Sequence, residues 1–81
     1  MKILIHNLPT TIKNCDLFKL FRPHGEVEDI SIPYNILGYG QGHAYVKMKN
    51  KKEGELAIQN LQNIEIDGTN VIVEEWYTPL D

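Results

Sequence analysis

Two helical stripes limit what this chain of 81 residues can build. Leu17, Leu20 and Phe21 recur at i, i+3, i+4, and Ala57, Ile58 and Leu61 follow a similar spacing, so two amphipathic helices are predicted. Around them, four segments alternate at period two, the pattern of strands with one buried face. In Lys2 to Asn7, Ile3 and Ile5 oppose Lys2, Leu4 and His6; in Val27 to Ile32, Ile30 and Ile32 oppose Asp29 and Ser31. In Gln41 to Met48, Gly42, Ala44, Val46 and Met48 oppose Gln41, His43, Tyr45 and Lys47. The last segment alternates Val71 and Val73 with Ile72 and Glu74 and runs out at Trp76-Tyr77. The order is strand, helix, strand, strand, helix, strand. Two helices cover only one face of the antiparallel sheet that such a chain forms. Function is expected on the other face, which stays open to solvent.

The punctuation agrees with that order. Asn7-Leu8-Pro9 ends the first strand, because proline cannot donate to a ladder and restricts the residue before it. Asn14 is the expected cap of the first helix, with Asp16 near its positive end, and Pro23 and Gly25 stop it. Asn50 answered by Glu53 reads as a capping box for the second helix. Gly54 within that helix costs ~1 kcal/mol relative to alanine unless close packing against the sheet requires it. Pro33 to Gly40 is a loop, and Asp67-Gly68 a turn.

Length allows one domain, taken as residues 1–81. No segment approaches the ~20 apolar residues of a membrane span, and the first residues lack the apolar core of a signal peptide. The single cysteine, Cys15, forms no internal disulfide and no zinc site alone, which fits an intracellular setting, nucleus and cytoplasm being left open. A formal net charge of −3 runs against the basic surplus usual in nucleic-acid binders, so any polyanion contact must use locally placed cations.

Ile3-Leu4-Ile5-His6-Asn7-Leu8 and Gln41 to Met48 are similar to the hexamer and octamer of the RNA recognition motif. Leu17, Leu20-Phe21, Gly25, Val27, Ala57, Ile58, Leu61, Gly68, Val71 and Val73 match the pieces between and after them. The chain resembles that family over essentially its whole length. The resemblance implies an α+β, ferredoxin-like βαββαβ sandwich with a four-stranded antiparallel sheet in the order 4-1-3-2 and two helices on one face. It also implies single-stranded RNA read by stacking bases on the open sheet. Carried over by residue, Tyr45 keeps a stacking aromatic, His43 replaces another with a smaller ring, and Gln41 replaces a phosphate-pairing cation. Leu4 replaces the hexamer aromatic and offers no π-face, and Met48 replaces a buried ring. Each base–aromatic stack is worth ~1–3 kcal/mol, so a modest affinity is expected.

The RNA-binding set expected on this basis is Lys2, Leu4, His6, Asn7, Gln41, His43, Tyr45, Lys47, Trp76 and Tyr77. Trp76 shares the parity of Ile72 and Glu74; it either takes a base that Leu4 cannot hold or folds over Leu4 and Ile72 as a lid. Lys2 and Lys47 are placed to meet phosphate, Lys51 and Lys52 form a solvated helix face, and Asp29 and Glu74 repel phosphate from the same face. His6 and His43 fall opposite each other if Leu4 faces Tyr45, yet neither strand supplies a third metal ligand, so no metal is expected. Both imidazoles gain charge as pH falls, which predicts tighter RNA binding in mild acid. The alternative is a protein-interaction module of the same fold, using Leu4, Ile72, Tyr45 and Trp76 as an apolar sheet face. Small proteins of this strand order include acylphosphatases, which need an arginine in the loop after the first strand, and copper chaperones, which need a Cys-x-x-Cys pair; this chain has neither. No catalytic residue, cofactor or membrane contact is expected, and the isolated domain is expected to be a monomer.

Overall fold

The alternating segments become strands, and burial follows their parity. The computed structural model describes residues 1–76, and in it β1 (Lys2–His6) buries Ile3 and Ile5 while its other three residues stay partly exposed. α1 (Asn14–Phe21) and a short 3-10 turn (Arg22–His24) lead to β2 (Val27–Ser31) and β3 (His43–Met48). α2 (Lys51–Leu61), a small hairpin of β4 (Glu65–Ile66) and β5 (Thr69–Asn70), and β6 (Ile72–Glu75) complete the chain. The main sheet runs β2-β3-β1-β6, antiparallel throughout, which is the expected 4-1-3-2 order with β6 as fourth strand. Both helices lie on one face, where Leu17 and Phe21 of α1 and Ala57 and Leu61 of α2 meet Ile3, Ile5, Ala44, Val46, Met48 and Val73 in one core. No helix among the described residues is long and apolar enough to cross a membrane.

Several local expectations change. The cap of α1 is Lys13 rather than Asn14: Asp16 Oδ2 accepts from the Lys13 backbone N–H at 3.0 Å, and Asn14 is already helical. Asn50 does cap α2, accepting from the N–H groups of Lys52 (2.9 Å) and Glu53 (3.3 Å). The reciprocal half of the box is spent elsewhere, because the Glu53 carboxylate accepts from the Glu26 N–H across the molecule. Strand β3 begins at His43, two residues later than its alternation suggested, because Gly42 has φ +86° and breaks the extended run. Asn7, with φ +66°, likewise ends β1 one residue early. The Asp67-Gly68 turn closes the β4–β5 hairpin with both residues at positive φ, the backbone that a tight two-residue loop demands.

Gly54 has the close contact its position required: a Cβ there would lie 2.3 Å from Met1 Sδ. Gly25 is more constrained, since a Cβ would meet Glu53 Cβ at 2.5 Å, an atom rooted on α2 itself. At the outer side of β6, the Gln62 side chain accepts from the Val73 N–H at 3.1 Å and its amide donates to the Val73 carbonyl.

Candidate nucleic-acid interface

The registers place the open face on a grid. Ser31, Tyr45, Leu4 and Glu74 form one row from β2 to β6. Asp29, Lys47 and Lys2 form the next, continued by Trp76, whose backbone N–H donates to the Lys2 carbonyl at 2.9 Å. His43, His6 and Ile72 form a third on the other side of Tyr45. The sequence-predicted pairs Leu4–Tyr45, Lys2–Lys47 and His6–His43 are therefore true neighbours.

Trp76 lies on the open face, as its parity implies. Its indole reaches diagonally across Leu4's strand and stacks on Tyr45, ring centroids 4.4 Å apart and planes 28° from parallel. His43 meets Tyr45 edge-on at 5.8 Å, so three rings form one connected group on the face that the helices leave bare. The Lys2 ammonium lies 5.6 Å from the indole centroid, within reach of a cation–π attraction. Beside the stacked pair is an open cavity of about 340 Å³ lined by Lys2, Asp29, Ser31, Tyr45, Val46, Lys47 and Trp76.

The charges of this face are mostly committed. His6 Nε2 lies 3.0 Å from a Glu74 carboxylate oxygen, and Lys47 Nζ lies 3.7 Å from Glu28. Lys49, at the end of the strand, pairs with Glu26 at 3.6 Å. All three pairs are at least two-fifths exposed, so each is weak and exchangeable. The Glu28 contact was not legible in the alternation. A register shift between Val27 and Asp29 makes Glu28 the extra residue of a bulge and sets it beside Lys47.

Other predicted residues are less engaged. Gln41 is exposed but precedes β3, and the turn at Gly42 removes it from the row of His43, Tyr45 and Lys47. Asn7 spends its amide N–H₂ on the Asn70 carbonyl at 2.9 Å. Tyr77 lies outside the described residues. Lys51 and Lys52 are exposed in the first turn of α2. His6 and His43 gain no third partner of the kind a metal needs: no cluster of three His, Cys, Asp or Glu residues occurs among the described residues. The loop between β2 and β3 presents a second exposed surface, which its sequence does not signal by periodicity. Its Tyr34, Ile36, Leu37 and Tyr39 are exposed, while Asn35 Oδ1 accepts from the Leu37 and Tyr39 N–H groups and Gly40 donates to Thr10.

Among solved structures, the crystal structure of an RNA-binding protein designated PG1 superposes with a TM-score of 0.90 at 26% identity, covering 96% of this chain and 95% of that one. A Sex-lethal protein/RNA complex superposes at 0.83 with 28% identity, over 90% of this chain and 46% of that one. In sequence, a multiple RNA-binding domain-containing protein of Kluyveromyces lactis is 30% identical over 73 residues, 90% of this chain. The chain spans only 8% of that relative's length. The family model of the RNA recognition motif matches residues 3–72. The chain belongs to the RNA recognition motif family.

Proposed function

We propose that the chain is a single-domain binding module for single-stranded RNA, with bases stacking on the uncovered sheet at Tyr45 and Trp76. One observation carries the reading: the stacked aromatic pair stands beside an open cavity whose rim holds two lysines, on the face that neither helix covers. Stacking gives sequence-tolerant attraction, and Lys2 and Lys47 supply local phosphate contacts within an acidic chain. His43, and His6 where Glu74 releases it, border the same path; Leu4 forms its apolar floor, and Gln41 and Asn7 flank it. The RNA-binding character of the relatives and the Sex-lethal complex supports this reading. The apolar protein-docking alternative is not favoured, because the face that would serve it is crossed by Lys2, Lys47, Asp29, His6 and Glu74. The module acts by binding, as a monomer in an intracellular setting, and no catalytic step or cofactor is assigned to it.

The test is a titration of the chain with random single-stranded RNA at about 50 and about 200 mM salt, followed by backbone amide shifts. Shifts at His43, Tyr45 and Trp76 that weaken with salt are expected. Saturation with millimolar RNA that leaves these three residues unmoved refutes the proposal.

A further inference from the structure

Resting on the RNA-binding reading above, we propose that Asp29 makes this module select guanine at the cavity beside Tyr45. Asp29 lies on β2 opposite Lys47, one side of the cavity, with Ser31 next along the same face. Its Oδ1 accepts from the Ile30 backbone N–H at 3.0 Å, which fixes the plane of the carboxylate. An ionised carboxylate offers about four acceptor sites, so most of its capacity is left for a ligand in the cavity that Asp29 lines. The neighbouring acids are differently placed. Glu28, Glu26 and Glu74 pair with Lys47, Lys49 and His6, whereas among the described residues no cation lies within ion-pair distance of Asp29.

An uncommitted carboxylate on a face that receives a polyanion works against binding unless something donates to it. A base edge with donors does so, and bases with acceptors at that edge are repelled, which is how one group both attracts and excludes. Single-stranded bases leave their Watson–Crick edges free to be read. Guanine alone presents two adjacent donors there, N1–H and N2–H₂, matching the two oxygens of a carboxylate. Adenine and cytosine present a donor beside an acceptor, and uracil an N–H between two carbonyls. Guanine's remaining acceptor, O6, suits the ammonium groups of Lys2 or Lys47 on the same cavity, and Tyr45 and Trp76 supply the π-surface. With about 340 Å³ the cavity has room for a purine.

The experiment titrates the chain with uridine hexanucleotides carrying one central guanosine, adenosine, cytidine or inosine, reading dissociation constants and the amide shifts of Asp29 and Tyr45. Guanosine is expected to bind roughly tenfold tighter than adenosine or cytidine, near the low end for a bidentate base contact. Inosine, which keeps N1–H but lacks the 2-amino group, should fall between guanosine and adenosine. In Asp29→Asn, where one carboxylate oxygen becomes a donor, the guanosine-to-adenosine ratio should collapse towards one, a readout that mere loss of structure would not select. Equal binding of all four oligonucleotides by the native chain overturns the inference while leaving RNA binding standing, and so does a guanosine preference that survives in Asp29→Asn. Failure of every oligonucleotide to shift the amides at millimolar concentration overturns the RNA-binding reading and the guanine assignment together.

Discussion

Replacing Trp76 by alanine tests whether the stacked pair is a platform or an obstruction. The indole covers one side of Tyr45 at 4.4 Å between centroids, and the cavity adjoins both rings. If a base stacks beside the intact pair, Trp76 acts as a buttress that holds Tyr45 upright before RNA arrives. Such an aromatic contact is worth ~0.5–1.5 kcal/mol beyond its buried area. Trp76→Ala should then weaken RNA binding by about two- to twelvefold, at about 1.4 kcal/mol per tenfold. Trp76→Phe, which keeps a ring in the stack, should recover most of the loss. The assay is fluorescence anisotropy of a 5′-labelled oligonucleotide, run with a thermal melt to show that each variant is folded. Tighter binding by Trp76→Ala would refute the reasoning, because it would mean that the indole occupies the place of a base and must be expelled.

Two further outcomes follow from contacts described above. Glu28→Gln frees Lys47 from an exposed pair of the kind worth ~0.2–1 kcal/mol, so RNA affinity should rise by about 1.4- to fivefold at low salt; an unchanged affinity would show the pair to be idle. Gly25→Ala drives a Cβ into Glu53 Cβ on α2, an overpacking cost of ~1–3 kcal/mol that urea denaturation would register, and an unshifted midpoint would contradict the close approach.

The fold was legible because its signals are periodic and local. Ile3, Ile5, Val46 and Val73 declare their face by parity, and Leu17, Phe21, Ala57 and Leu61 declare theirs by helical spacing. Gly54 stands out as a cost in a helix unless the sheet packs closely on it, and what lies against it is the Met1 side chain, just ahead of β1. What parity cannot report is a change of register. The bulge at Glu28 and the positive φ at Gly42 each shift one side chain relative to the rows, so the Lys47 pair and the displacement of Gln41 were hidden. Diagonal reach was hidden too. Trp76 was placed correctly on the open face, but its contact with Tyr45 spans an intervening strand, and strand alternation says nothing about where a long side chain lies down.

The glutamine beside β6 has a consequence for how copies of this chain meet. β6 is an outer strand, and the backbone groups of Val73 that would receive an added strand are both taken by the Gln62 side chain. That amide imitates one peptide unit of a neighbouring strand and then stops, since it has no next residue to offer. An unguarded outer strand is a template for edge-to-edge growth and aggregation. Here the template is filled at its centre by the chain itself, so crowded copies meet through side chains and have no ladder to share at Val73.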